Sequence, residues 1–341
     1  MSMTEGTVPW PDEQALQYAR AGWWRGRDLG DEFAVVAAAR PDATALVDGT
    51  TRISYGSLLA RADALASRLA RLGLRPGMRI VVQLPNGWPF VVLTLACLRA
   101  GIVPVMALPA HRRHELAYLC EHSGARALAV PDVLRGFDHQ QMAEELLAGS
   151  PTLAHILVAG QDVRHQDLTA LCAEGEATAP HPPDPAGVAV FLLSGGTTGL
   201  PKLIARTHND YSYNARASAE LCRLDERTVY LVSLPASHNF PLACPGILGT
   251  LLSGGRVVMI ASRTRPARLP PSSGRASRSP RSCPRWPSAG WLMPPTMAPA
   301  PCARSRSCRS AAPASPTSTP RGSSRCSARP CSRCSAWPRG C

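Results

Sequence analysis

The chain has 341 residues, enough for two or three domains with a large core, and its hydrophobic content of 45% is that of a globular protein. No run of 18 apolar residues occurs, so no membrane span is expected, and residues 1–11 lack the basic start and apolar centre of a signal peptide. The net charge of +13 suggests a nucleic-acid partner until it is mapped: residues 263–341 hold 15 Arg and no Lys, Asp, Glu or His, which leaves −2 for residues 1–262. That segment also holds 7 of the 12 cysteines. The other five (Cys97, Cys120, Cys172, Cys222 and Cys244) are scattered through apolar patterns and read as reduced thiols of a cytoplasmic protein.

Taken in order, residues 12–40 begin with an amphipathic segment carrying Leu16, Tyr18, Ala21, Trp23 and Trp24. The Trp23–Trp24 pair is read as packing rather than as a ligand platform, because aromatic rings bury large areas. A helix follows over 30–40 and ends at Pro41. Residues 45–47 and 52–54 flank Asp48-Gly49, a hairpin signal. Ser54 then caps a helix in which Leu58, Leu59, Ala62, Leu65, Ala66, Leu69 and Leu72 recur at helical spacing up to Gly73. Strands are expected at 79–84, 103–106, 126–130, 155–159 and 188–193, and helices at 89–100, 114–122 and 139–147. Residues 160–185 are polar and Pro-rich and read as a surface linker. Beyond them come a helix at 209–222, a strand at 229–234, a helical piece at 245–252 and a strand at 256–260. Strands alternating with helices imply a parallel sheet covered on both faces, with ligands at the carboxyl ends of its strands.

One such end carries Ser194, Gly195, Gly196, Thr197, Thr198 and Gly199, closed by Lys202, the only lysine in the chain. Glycines let backbone N–H groups approach an anion, hydroxyls add donors, and the lysine adds a mobile positive charge. A triphosphate suits this set. The pattern is not the common phosphate loop, since Leu200-Pro201 separate the last Gly from the Lys. A bare Gly/Thr loop is also an ordinary hairpin or linker. A second group, His238, Asn239, Phe240, Leu242 and Cys244, follows the strand at 229–234. It offers a polar handle and an apolar wall for a small planar ligand, or else a proline-constrained loop with a satisfied histidine.

The string S-G-G-T-T-G-L-P-K at 194–202 resembles the phosphate loop of the adenylate-forming superfamily of acyl-CoA synthetases, luciferases and nonribosomal peptide adenylation domains. The string P-A-S-H-N-F-P-L-A-C-P-G at 235–246 looks like the substrate motif of its aryl-acid branch, the salicylate and 2,3-dihydroxybenzoate AMP ligases of siderophore assembly. L-R-A-G-I-V-P-V-M-A-L-P-A-H-R at 98–112 and P-K-L-I-A-R-T-H-N-D-Y-S-Y-N at 201–214 support it, and the likeness runs from about Trp10 to Ile260. It implies an α/β fold, the N-terminal part of the large domain of such an enzyme, with layered α/β sheets and helices over residues 1–262.

The resemblance also implies a chemistry. An aryl carboxylate attacks the α-phosphate of ATP to give aryl-AMP and pyrophosphate, and a phosphopantetheine thiol on an aryl carrier protein takes the acyl group. Ser194 to Lys202 would hold the β- and γ-phosphates, with Mg²⁺ neutralising charge. Asn239 would contact the ring 2-hydroxyl, and His238 would lie beside the carboxylate and ATP. The place of Cys244 is similar to one held by Ser in dihydroxybenzoate enzymes and Cys in salicylate enzymes. A thiol is a weak partner for a 3-hydroxyl and suits a bare C–H, so salicylate is the expected acid. No catalytic residue is identifiable, because the family's catalytic lysine lies in a small C-terminal lid domain that this chain is expected to lack. No resident metal ligands are expected. Other readings are another ligase of the superfamily, such as a benzoate-CoA ligase, or a non-catalytic module that binds an aryl acid or carrier protein.

Residues 263–341 have no Val, Ile, Phe or Tyr and only two Leu, and so read as a disordered basic tail. It is a nucleic-acid arm, a metal module built on Cys331 and Cys334, or a GC-rich gene read out of frame. The sequence itself supports the last. Residues 331–340 can be back-translated, with the C that can end the Pro330 codon, and regrouped to read L-Q-Q-V-F-G-M-A-E-G. Residues 311–320 regroup with the same offset to G-G-A-R-L-A-D-E-H-A. Both resemble downstream motifs of the adenylate-forming family in their expected order. A one-base loss near codon 262 is therefore the favoured reading, and a nucleic-acid partner is not expected.

Overall fold

The computed structural model describes residues 6–178, 182–194 and 201–260. The chain divides into two units, Met1–Trp291 and Leu292–Cys341, and every described residue belongs to the first. The expectations for residues 263–341 lie outside the described residues.

The first elements are α1 (Asp12–Arg20), α2 (Leu29–Ala39), β1 (Thr44–Asp48), β2 (Thr51–Ser54), α3 (Tyr55–Arg71), β3 (Arg79–Val82), α4 (Trp88–Ala100) and β4 (Val103–Met106). Next come α5 (Arg113–Ser123), β5 (Ala127–Pro131), β6 (Val133–Leu134), β7 (Phe137–Asp138), α6 (His139–Gly149), β8 (His155–Ala159), β9 (Gln166–Asp167) and α7 (Leu168–Leu171). The last are β10 (Val188–Leu193), β11 (Leu203–Thr207), α8 (His208–Leu221), β12 (Val229–Val232), α9 (Asn239–Ala243), α10 (Gly246–Leu252) and β13 (Arg256–Met259).

Two main sheets form, in keeping with the layered sheets that the resemblance implies and unlike the single parallel sheet that the alternation of elements suggests, beside the small β6–β7 hairpin. The larger has the order β11-β10-β4-β3-β5-β8-β9 and is parallel except for the edge strand β11, which runs antiparallel to β10. The smaller has the order β12-β13-β1-β2, with only the β1–β2 hairpin antiparallel. The period-2 alternation of strand side chains explains why both faces of the larger sheet are covered. Ile80 and Val82 of β3, with Ala127 and Ala129 of β5, join a core shared with α2, α3, α4, α8, α10 and the smaller sheet. Val81, Leu128 and Val130 point the other way, onto Leu116 and Leu119 of α5 and Met142 and Leu146 of α6. The helices of the shared core thus lie between two sheets. This is why α4 is apolar all round: residues 90–98 are all buried.

Local signals set the helix starts. Ser54 accepts from the Ser57 N–H at 3.2 Å at the head of α3, and Asp28 accepts from the Asp31 N–H at 3.0 Å at the head of α2. Arg99 of α4 ties three helices, reaching Asp31 of α2 and Asp63 of α3, each at 2.7 Å.

The structure adds to or departs from the expected elements in three places. Residues 160–185 are not wholly a linker: β9 adds to the sheet edge beside β8, Asp167 caps α7 by accepting from the Ala170 N–H at 3.0 Å, and Leu168 and Cys172 are fully buried. The strand β11 carries no clear signal in the sequence, because its pattern L-I-A-R-T does not alternate cleanly; as an edge strand it is only half-buried. The segment 239–243, read as loop, forms the short helix α9. The Trp pair does pack. Trp24 is buried against Trp10 and Tyr18, whereas Trp23 is 44% exposed and stacks on Tyr213 at 5.5 Å.

Candidate functional site

The glycine/threonine loop spans the turn of the β10–β11 hairpin. The Ser194 N–H donates to the Lys202 carbonyl at 3.0 Å, and the Lys202 N–H donates to Ser194 Oγ at 3.0 Å. These two bonds close the neck of the loop through the backbone N–H and carbonyl of Lys202, an exposed residue. Gly195, Gly196, Thr197, Thr198 and Gly199 lie outside the described residues. The loop sits at the carboxyl end of β10, as a strand-end ligand site requires. It leads into a second strand, β11, rather than a helix.

That second strand feeds α8, which connects the loop to the aryl motif. Thr207 and Asp210 form a reciprocal capping box: the Asp210 N–H donates to Thr207 Oγ1 at 3.2 Å and the Thr207 N–H to Asp210 Oδ2 at 3.0 Å. The N-terminal region clasps one side of this helix. The Trp10 indole N–H donates to Asp210 at 3.3 Å, the Gly26 N–H to Asn209 at 3.2 Å, and the Leu29 N–H to His208 Nδ1 at 3.3 Å.

From α8, Tyr211 and Asn214, one turn apart, reach residues 239–244. The Tyr211 hydroxyl donates to Asn239 Oδ1 at 3.1 Å. Asn214 Nδ2 donates to the Ala243 carbonyl at 2.8 Å and lies 3.3 Å from Cys244 Sγ. Asn239 Nδ2 lies 3.4 Å from the same sulfur. An amide and a thiol of the motif therefore stand side by side, each held by α8. Burial pushes the Tyr211 phenol well above its ordinary value, so it stays a neutral donor.

The loop ahead of the motif is held from the larger sheet. Asn86, just after β3, donates to the Val232 and Leu234 carbonyls at 3.2 and 2.9 Å and accepts from the Ala236 N–H at 2.8 Å. His238 is exposed and caps α9, its Nδ1 accepting from the Phe240 N–H at 3.4 Å. Phe240 and Cys244 are half-buried, able to line a surface site. Leu242 is not part of that wall: it is 1% exposed and points into the core, since α9 turns it away. The Cys244–Pro245 peptide is cis, and Gly246 has φ +56°. A Cβ at Gly246 would fall 2.4 Å from the Pro241 carbonyl oxygen, so the motif turns back on itself only with glycine there.

Tyr211, Asn214 and Asn86 were not singled out in the sequence. Tyr211 and Asn214 stand within T-H-N-D-Y-S-Y-N, where the capping box marks a helix start and their spacing of three marks one face. Asn86 had only a turn-like Pro-Asn-Gly context. Among the described residues no group of three or more His, Cys, Asp or Glu could hold a metal ion, and no helix is long and apolar enough to cross a membrane.

A mostly parallel α/β sheet with a strand-end glycine/threonine loop is the architecture of a nucleotide-handling protein. The AMP-binding enzyme family matches residues 33–271, and the chain belongs to that family. It is 58% identical over 264 residues to a salicylyl-CoA synthase / salicylate adenylyltransferase of a Streptomyces species, covering 75% of this chain and 48% of the relative. It is 48% identical over 259 residues to a salicyl-AMP ligase / salicyl-S-ArCP synthetase of Mycobacterium tuberculosis, covering 74% and 46%. The apo structure of MbtA from Mycobacterium smegmatis superposes with a TM-score of 0.71 at 46% identity, covering 76% of this chain and 48% of that one. The layered sheets are therefore those of the N-terminal large domain of adenylate-forming enzymes. The chain spans about half the length of the curated relatives it matches.

Proposed function

We propose that residues 1–262 are the part of an aryl-acid–AMP ligase that carries the phosphate loop and one wall of the aryl-acid pocket, with salicylate as the acid. The observation that carries this reading is the pairing of Asn239 with Cys244: an amide held by Tyr211, beside a thiol at 3.4 Å. The amide suits a ring 2-hydroxyl, and the thiol suits the unsubstituted carbon next to it. Both relatives described above are named for salicylate.

In the proposed reaction the salicylate carboxylate attacks the α-phosphorus of ATP, forming a C–O–P linkage as pyrophosphate leaves. A phosphopantetheine thiol, on an aryl carrier protein or on CoA, then takes the acyl group and releases AMP. Ser194 to Lys202 would contact the β- and γ-phosphates. Mg²⁺ would arrive on those phosphates as part of the nucleotide substrate, which matches its reluctance to shed water for an all-protein cage. His238, exposed at the head of α9, would border the carboxylate. The adenine-, ribose- and lysine-bearing parts of the site would lie in the portion of the relatives that this chain does not match. Residues 263–341 are proposed to be out of frame and to contribute nothing to the site.

Calorimetric titration of the full chain with salicylate, 2,3-dihydroxybenzoate and benzoate tests the reading. Salicylate is expected to bind tightest, with benzoate about tenfold weaker for want of the 2-hydroxyl hydrogen bond. Equal affinity for salicylate and benzoate, or no binding of any of the three, overturns it.

A further inference from the structure

We propose that Asn214 is a specificity-positioning residue: it holds the Cys244 thiol so that the pocket rejects a hydroxyl at ring position 3. The inference rests on the aryl-acid reading above and adds a residue from outside the aryl motif. Its carrier is the double grip of α8. Tyr211 secures Asn239, and Asn214 secures Cys244 and the residue before it, donating to the Ala243 carbonyl at 2.8 Å and approaching Cys244 Sγ at 3.3 Å. Asn214 Oδ1 lies 3.8 Å from the same sulfur, within reach of its S–H.

A primary amide has two donors and an acceptor, so one side chain can satisfy a backbone carbonyl and both sides of a thiol. Cys244 Sγ has a further amide donor in Asn239, at 3.4 Å. Its proton is directed to Asn214 and its lone pairs to two N–H groups. A thiol engaged in this way has no free proton for an incoming 3-hydroxyl and cannot swing aside for it. A cysteine without Asn214 could do both. The discrimination therefore belongs to the pair, and the identity of residue 244 alone does not set it.

The test compares affinities of the full-length chain for salicylate and 2,3-dihydroxybenzoate in the wild type, Asn214→Ala, Cys244→Ala and the double variant, with thermal melts to confirm folding. Asn214→Ala is expected to cut the preference for salicylate about tenfold, mainly through tighter 2,3-dihydroxybenzoate binding. In the Cys244→Ala background the same substitution is expected to change the preference less than twofold, because its target is gone. A parallel loss of affinity for both acids, or the same effect in both backgrounds, marks Asn214 as merely structural and overturns the proposal. Should Asn214→Ala not fold, Asn214→Ser, which keeps a polar side chain but is too short to grip both Ala243 and Cys244, is read by the same criterion. Failure of the wild type to bind salicylate at all would instead count against the aryl-acid reading, so the two failures are distinct.

Discussion

The Tyr211 hydroxyl donates to Asn239 Oδ1 at 3.1 Å, across 28 residues of sequence. A buried phenol on α8 thus sets the orientation of the amide expected to meet the aryl acid. It leaves Asn239 Nδ2 as the donor on the opposite side. Tyr211→Phe should weaken salicylate binding about fivefold to tenfold while costing about 1 kcal/mol of stability, the worth of one hydrogen bond. Titration calorimetry and denaturant unfolding of the variant measure the two effects separately.

Gly246 closes the motif at φ +56°, against the Pro241 carbonyl. Gly246→Ala places a Cβ where no side chain fits, and should cost about 1–3 kcal/mol. Because α9 and Cys244 must shift to relieve the clash, aryl-acid affinity should fall more than the melting temperature suggests. Binding measured well below the melting transition shows whether it does.

Lys202 contributes backbone atoms to the neck of the β-hairpin and is an exposed residue. Lys202→Ala should therefore leave stability within about 0.5 kcal/mol of wild type, as for surface substitutions generally. Mg²⁺·ATP binding should weaken by about tenfold and lose part of its salt dependence. Nucleotide titrations at two ionic strengths check both.

Two buried groups at the junction of α2 and α8 titrate in opposition. Burial raises the Asp28 carboxyl to about 6 and lowers His208, whose Nδ1 accepts from the Leu29 N–H, to about 4. Asp28 is stabilising while protonated, and that contribution is lost as pH rises through 6. His208 is stabilising while neutral, and that contribution is lost as pH falls from 6.5 through 4. In the wild type the slopes partly cancel between pH 4 and 6. Asp28→Asn, which keeps the cap, should expose a fall in stability as pH drops, and His208→Gln a fall as pH rises. Denaturation midpoints taken across pH 4 to 7 give the sign of each slope.

Arg99 has 11% of its side chain exposed and bridges Asp31 and Asp63. Arg99→Met strands two carboxylates. Asp31 is 37% exposed, so the loss should be about 1–3 kcal/mol, below that of a fully buried pair. Urea unfolding measures it, and the double variant with Asp63→Asn should recover part of the loss.

The legible parts of the fold were those whose signal is local. Strands at 103–106, 155–159 and 188–193 have the expected bounds, because each is a continuous apolar run between turn residues. The α3 helix declared itself by its leucine spacing and Ser54 cap. The strand β11 did not, because its partner β10 covers one edge and its faces are half-wet. Segment 166–172 was hidden among polar neighbours, its only core anchors being Leu168 and Cys172. At the site, His238, Asn239, Phe240 and Cys244 carried a pattern, whereas Tyr211, Asn214 and Asn86 matter through where they point.

The amino-acid sequence alone determined the alternation of strands and helices, the glycine/threonine loop and the aryl motif, since each is written in neighbours a few residues apart. Tertiary structure decided which strands go to which of the two main sheets, with helices packed between them. It also decided that Leu242 belongs to the core, and that α8 grips Asn239 and Cys244 through Tyr211 and Asn214. Those outcomes depend on contacts between residues about 30 to 150 positions apart, such as Asn214 with Cys244 and Asn86 with Ala236. Such contacts form only when the whole core closes, and no local propensity encodes them.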